Sequence, residues 1–247
     1  MNVYRILQEI PKPSNPVGTL YVVATPIGNL EDITLRALRV LKQVPLVAAE
    51  DTRVTRKLFA AYDIHTPLAS FHEFTSPQRR GRLIERLETG DVALVTDAGT
   101  PGVSDPGYPL IRDALAAGHQ VLAVPGASSV ITALVASGLP SHAFCFRGFL
   151  PRTSATRRKF FAQHAESDDT LVVFESPHRV LAALKDLVAT LGPERSLAVC
   201  RELTKRFEEV FRGTAQAALK HFTDEPPRGE FTLVIGGRSA PLPGAAA

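Results

Sequence analysis

Four short runs, at 20–24, 45–49, 92–96 and 121–124, are apolar at successive positions rather than at alternate ones. A strand with this pattern has helices against both faces, as in a parallel sheet. Parallel neighbours need a long crossover between them, and the chain supplies one each time. Helical periodicity and end signals fall at about 31–43, 53–62, 77–89, 106–117 and 127–137. Asn29 followed by Asp32 resembles a capping box. Ser76-Pro77 and Asp105-Pro106 each read as an N-cap followed by a first-turn proline. Gly118 and Gly138 stand where left-handed helix ends favour glycine.

Beyond about residue 140 the rhythm changes. Strand patterns fall at 144–149, 170–174, 196–200, 208–212 and 231–235, with helices at about 154–165 and 177–191. The runs between 196 and 212 have no helix between them, which predicts antiparallel pairing. The expected architecture is α/β in two domains. Residues 18–138 form a mainly parallel sheet with helices on both faces, and 139–237 a smaller mixed sheet, with the boundary near 137–142. Residues 1–17 and 238–247 read as flexible tails.

A chain of 247 residues, 45% of them hydrophobic, can bury a full core. It has no apolar run of membrane-spanning length and no basic-then-apolar leader, so a cytoplasmic protein is expected. Cys145 and Cys200 are the only cysteines, which suits buried thiols in a reducing compartment. The net charge is +3. Its clustering is more informative: Arg53, Arg56 and Lys57; Arg79, Arg80, Arg82 and Arg86; Arg152, Arg157, Arg158 and Lys159. Such clusters suit a polyanion, although for any single arginine a solvated helix face is the simpler reading.

Three strand-to-helix loops of the first half are rich in Gly and Pro: Ala24-Thr-Pro-Ile-Gly-Asn29, the loop from Asp97 to Gly107, and Val124-Pro-Gly-Ala-Ser-Ser129. In a parallel sheet the carboxyl ends of the strands share one edge, where small molecules bind. The helix opening at Ser128-Ser129 offers free N–H groups to an anion or carboxylate, and Asp97 and Asp105 suit a cationic group. A ligand with an amine, a carboxylate and a flat heteroaromatic part would fit. The phosphate loop, the dinucleotide glycine fingerprint, the serine nucleophile elbow and metal-ligand His or Cys spacings are all missing from the sequence. A metal-free group transfer is the expectation.

Five ordered stretches resemble a known family: Leu20-Tyr-Val-Val-Ala-Thr-Pro-Ile-Gly-Asn29 with its continuation to Leu38, Ala49-Glu-Asp-Thr-Arg53, Ser70-Phe-His-Glu73, Thr96-Asp-Ala-Gly-Thr-Pro-Gly-Val-Ser-Asp-Pro-Gly107 and Phe174-Glu-Ser-Pro-His-Arg179. Together, from about Gly18 to Gly237, they resemble the ribosomal RNA small subunit methyltransferase I family, of the tetrapyrrole-methylase-like class. The resemblance implies two α/β domains with S-adenosylmethionine in the cleft between them, and usually a homodimer. The implied reaction is methyl transfer to a cytidine ribose 2′-hydroxyl in the decoding region of bacterial small-subunit ribosomal RNA, on the RNA or the assembled 30S subunit.

Residue by residue, the resemblance implies cofactor contacts at Pro26, Ala98, Gly99, Thr100, Val103, Ser128, Ser129, Glu175 and Leu203, and Asp97 reads as a charge on the cofactor side. Thr100 stands where the broader class has Asp, so whether Asp97 or Asp105 supplies the local negative charge stays open. Glu50, Asp51, His72 and Glu73 are the candidates for a base or a ribose-orienting group. Helix capping near Thr52 is an equal explanation of Glu50 and Asp51. Arg53, Arg56, Arg79, Arg80, Arg157, Arg158 and Lys159 are the candidate phosphate contacts. A corrinoid methyltransferase of the same fold, and a non-catalytic RNA-binding assembly protein, are the alternatives.

Overall fold

A computed structural model describes residues 18–243. The proposed tail at 1–17 and the last four residues of the 238–247 tail lie outside the described residues.

The first sheet is wholly parallel. It consists of β1 (Thr19–Val23), β2 (Leu46–Ala49), β3 (Leu68–Ser70), β4 (Val92–Val95) and β5 (Gln120–Val124), in the order β3-β2-β4-β1-β5. Every residue of β1 and β4 is buried, as the two-faced apolar pattern predicts. The crossovers are α1 (Leu35–Gln43), α2 (Thr52–Ala61), α3 (Pro77–Leu87) and α4 (Tyr108–Ala116). Leu83 and Leu87 of α3 and Leu110 and Ala114 of α4 join Leu20, Ala48 and Leu94 of the sheet in one apolar cluster.

The second sheet is mixed. It consists of β6 (Phe144–Phe149), β7 (Thr170–Glu175), β8 (Ser196–Arg201), β9 (Glu209–Thr214) and β10 (Phe231–Ile235), in the order β6-β7-β10-β8-β9. Only β6 and β7 pair in parallel, and β8 pairs with β9 antiparallel as the helix-free spacing predicts. Helix α5 (Ser129–Ser137) covers one face, with Val130, Ala133 and Leu134 against Val172, Ala198 and Val234. Helices α6 (Ser154–Gln163), α7 (Val180–Leu191) and α8 (Ala215–Asp224) supply Phe161, Leu184, Leu187 and Phe222 to the other.

By its contacts the chain forms two compact units that are not consecutive stretches. Among the described residues, the first comprises those from Gly18 to Val23, Leu35–Asp97 and Pro106–Val124; the second comprises Ala24–Thr34, Ala98–Asp105 and those from Pro125 to Pro243. The division therefore does not fall at 137–142: the three Gly/Pro-rich loops and α5 belong with the second sheet.

Local chemistry accounts for most helix ends. Asp51, Ser76 and Ser128 accept hydrogen bonds from the first-turn N–H groups of α2, α3 and α5. Gly138 ends α5 at φ 71°, a conformation that costs glycine nothing. Two expectations need correction. Asp105 does not cap α4: the helix starts at Tyr108, Gly107 holds the cap position without a side-chain bond, and the first-turn proline is Pro109. The delay follows from the turns of the loop, where Gly102 and Ser104 sit at φ 85° and 59°. Asn29 caps only the short 3-10 turn Leu30–Asp32, and α1 begins after it. Strand β3, three residues long, and α8, which opens directly at the end of β9, are additional to the elements read from sequence.

Candidate functional site

The second unit contains a cavity of about 390 Å³, within the range that encloses a small ligand. Ala98, Gly99, Thr100, Val103, Ser128, Ser129, Glu175 and Leu203 all line it. The loop carrying the first four is pinned to the loop after β1 by reciprocal backbone hydrogen bonds between Thr25 and Gly99, at 2.9 and 3.1 Å. Gly99 sits at φ 75°, and Gly126 lies so near Ala24 that an added Cβ would come within 3.0 Å of its methyl. These loops approach so closely because glycine has no side chain to obstruct them.

The cavity is mainly apolar with a few polar groups at its wall. Phe174, Thr232 and Cys200 form one cross-strand row over β7, β10 and β8, and all three contribute to the lining. Burial pushes the Cys200 thiol up to about 12, so it stays protonated and serves as wall. The start of α5 adds unsatisfied backbone N–H groups. Glu175, at the end of β7, is fully buried on its side chain. Its Oε1 accepts from Ser176 N–H at 2.7 Å and pairs with Arg179 at 2.6 Å, while its Oε2 has no hydrogen-bond partner among the described residues. Burial raises its carboxyl above the ordinary value, against the pull of the Ser176 N–H and of Arg179 and Arg157.

Pro26 and Asp97 are not among the lining residues; the loop after β1 contributes Ile27 instead of Pro26. Asp97 belongs to the first unit, where it joins the candidate acids. Its N–H donates to Glu50 Oε2 at 3.2 Å and its Oδ1 accepts from Asp51 N–H at 3.0 Å. Burial raises the Glu50 carboxyl, reinforced by the charges of Asp97, Asp51 and Glu73. Partial burial likewise raises Asp97. Asp51 goes the other way. It caps α2 and grips the Arg53 guanidinium at 2.6 Å, which holds its carboxyl down at about 2. His72 and Glu73 border a small recess with Thr75, Arg80 and Pro106, and the His72 N–H donates to Thr75 Oγ1.

The seven basic candidates separate. Arg56, Arg79 and Lys159 are exposed, and so is Arg53 despite its bond to Asp51. Arg80 is committed to Asp113 at 2.9 Å and to the Thr75 carbonyl. Arg157 is a correction: it is only 3% exposed, binds Asp186 at 2.5 Å and donates to the Pro151 and Arg152 carbonyls. A phosphate could reach it only by opening that buried pair. Arg158, half exposed, holds the other Asp186 oxygen at 2.8 Å. The charge run at 157–159 therefore faces both ways round α6, which a count of basic residues does not distinguish.

The sequence reading misses the apolar wall of Ile27, Phe174, Cys200 and Phe231. These residues carry ordinary core patterns, and only cross-strand register separates a lining residue from a core one. A further group, Glu209, His221 and Glu225, gathers its ligand-type atoms within 4.8 Å of one another. Glu209 there already binds His221 at 2.6 Å and Arg201 at 3.3 Å. Among the described residues no helix is long and apolar enough to cross a membrane.

The sequence pattern of the Tetrapyrrole (Corrin/Porphyrin) Methylases matches residues 19–219. A protein named ribosomal RNA small subunit methyltransferase I from Synechocystis is 48% identical over 222 residues, covering 90% of this chain and 80% of its own length. One of the same name from Pseudomonas aeruginosa is 49% identical over 228 residues, covering 91% and 80%. Among solved structures, uroporphyrin-III C-methyltransferase from Thermus thermophilus, complexed with S-adenosylhomocysteine, aligns with TM-score 0.60 and 24% identity. That alignment covers 89% of this chain and 97% of the other, a likeness of fold.

Proposed function

The chain belongs to the ribosomal RNA small subunit methyltransferase I family of tetrapyrrole methylases, and we propose that it 2′-O-methylates a cytidine ribose in the decoding region of bacterial small-subunit ribosomal RNA. The cavity of the second unit is the observation that carries the proposal. Its residues suit S-adenosylmethionine: an apolar wall for a flat ring, helix N–H groups for acceptors, and the partnerless Glu175 Oε2 for an N–H or O–H donor. Ala98, Gly99, Thr100, Val103, Ser128, Ser129, Glu175 and Leu203 are the proposed contacts. When bound, S-adenosylmethionine supplies an electrophilic methyl group on a sulfonium.

The chain's own part is to align the acceptor, exclude water and take one proton. The ribose hydroxyl is a weak nucleophile; its oxygen gains the methyl as the carbon–sulfur bond breaks, and its proton must leave. Glu50 is the proposed acceptor of that proton, because its carboxylate is held in place by the Asp97 N–H and its affinity for a proton is raised. Asp51 is less suited, since Arg53 holds it as a weak base. Glu73 contributes negative charge, and His72 is the alternative orienting group. The exposed Arg53, Arg56, Arg79 and Lys159 are the proposed phosphate contacts. A homodimer and a cytoplasmic location belong to the same reading.

The test is methylation in vitro with S-adenosylmethionine carrying a labelled methyl, on small-subunit RNA and on assembled 30S subunits from a strain lacking the gene. Nuclease mapping by mass should show one 2′-O-methylcytidine that this strain lacks. A map identical to wild type before the enzyme is added, or a methyl placed on a base, would overturn the assignment.

A further inference from the structure

The loop 202–208, between β8 and β9, is built to be stiff. Glu202 Oε1 accepts from the Glu230 N–H at 2.9 Å and from Lys205 Nζ at 3.0 Å, and Lys205 also pairs with Glu230 at 3.1 Å. The Thr204 N–H donates to the Glu208 carboxylate, and Glu208 N–H returns to the Lys205 carbonyl at 3.1 Å. Glu202 and Thr204 are held at φ 50° and 66°, values a non-glycine residue adopts only when its surroundings impose them. Gly229 faces this loop so closely that a Cβ there would overlap the Glu202 side chain.

This stiff loop carries an exposed aromatic side chain, Phe207, 66% exposed, with the Arg206 guanidinium 5.5 Å from its ring centre. A lone exposed apolar residue means little. Phe207, however, also lines a surface cavity of about 200 Å³ together with Arg201, Glu202, Arg228 and Gly229. The neighbouring carboxylates are engaged: Glu202 and Glu230 on Lys205, Glu209 on Arg201 and His221, and Glu208 on the Thr204 N–H. Arg206 and Arg228 form no ion pair among the described residues, so their charge is available outward. An aromatic face, guanidinium groups and a preformed support are what binds an unstacked base and its phosphate in single-stranded nucleic acid. Leu203 of the same loop lines the large cavity, as does Glu230, so the loop has one side on each recess.

We propose that Phe207, with Arg206 and Arg228, is a stacking platform for one unpaired nucleobase of the RNA substrate. The proposal rests on the reading of the protein as an RNA methyltransferase and adds where the strand is held. The test is titration of the full chain with short single-stranded RNA containing 2-aminopurine, alongside methylation kinetics on the small subunit. Phe207→Ala should weaken RNA binding about tenfold and raise KM for RNA, and should abolish the 2-aminopurine quenching that wild type produces. Phe207→Trp should restore both. Affinity for S-adenosylhomocysteine should not change, because Phe207 lies outside the large cavity's lining. Arg206→Ala with Arg228→Ala should flatten the salt dependence of RNA binding. RNA affinity and KM unchanged in Phe207→Ala would overturn the platform while leaving the methyltransferase reading intact. Loss of affinity for the assembled subunit alone would assign the surface to a ribosomal protein, and the base platform would fall. Wild-type protein that neither binds nor methylates the RNA would instead remove the underlying reading.

Discussion

Glu50 and Asp51 are adjacent carboxylates at the end of one strand, yet they have opposite chemistry. Asp51 turns toward a helix N-terminus and a guanidinium, which stabilise its charge. Glu50 is partly buried among other acids, which penalise it. Glu50→Gln should keep the Asp97 hydrogen bond and lose the base, lowering single-turnover methylation at least about a hundredfold with cofactor affinity intact. Glu50 must be ionised to accept a proton. The wild-type rate should therefore rise with pH through a carboxyl that titrates above the ordinary value, and the variant's residual rate should be flat there. Asp51→Asn should keep the α2 cap, lose the Arg53 ion pair and change the methylation rate little. Gly28 offers a steric test of the cavity wall. A Cβ there would lie 2.4 Å from Lys205 Cγ and 3.0 Å from the Leu203 carbonyl. Gly28→Ala should push Leu203 and weaken S-adenosylhomocysteine binding about tenfold by calorimetry, in line with about 1–3 kcal/mol for overpacking.

At the level of elements, α6 and α7 are joined by a buried charge cluster as well as by apolar contact. Asp186 on α7 receives Arg157 and Arg158 and the Ser154 hydroxyl, all from α6. Asp186→Ala would leave the Arg157 guanidinium buried without its carboxylate. The expected loss is about 3–5 kcal/mol in urea unfolding, far more than a surface ion pair is worth. For the same reason, reversing the charge of Arg157 would unfold the second unit and reveal nothing about RNA. Burial opposes ionisation of Asp186, but the hydrogen bonds from Arg158, Ser154 and Arg157 outweigh it and hold its carboxyl low. Its contribution is thus fully present above the unfolded carboxylate value and is lost as pH falls through the lower folded value. Glu175, raised in the folded state, contributes oppositely: its share is present in acid and lost as pH rises through its folded value. Unfolding of the Asp186→Ala protein should therefore show a weaker acid limb than wild type.

For the molecule as a whole, charge and chain path matter most. The net charge is only +3, so RNA affinity must come from local clusters rather than from the global field. Replacing Arg53, Arg56 and Arg79 together by Ala should lower RNA affinity and reduce the slope of log K against log salt by about three, measured by filter binding. An unchanged slope would remove them from the interface. The chain path explains why the loop residues were identifiable but their surroundings were not. β1, β4 and β5 belong to the first unit, yet the Gly/Pro loops that leave them belong to the second, together with β7, β8 and β10. No single boundary drawn along the sequence can describe that arrangement.

The sequence by itself determined the elements that rest on short-range physics. Two-faced apolar runs specified the parallel strands, buried throughout in β1 and β4, although edge strand β5 buries only Val124; Asp51, Ser76 and Ser128 specified helix starts, and glycines the close loop approaches. The resemblance singled out Ala98–Thr100, Val103 and Ser128–Ser129, and all of them line the cavity of the second unit. Only the tertiary structure decided the rest. Cross-strand register makes Phe174, Thr232 and Cys200 one wall, and rotation about α6 buries Arg157 while exposing Lys159. Partial burial together with three neighbouring charges makes Glu50 a weaker acid than an ordinary carboxyl. Each of these depends on contacts between residues far apart in the chain, and hydrophobic periodicity, which is local, does not record them.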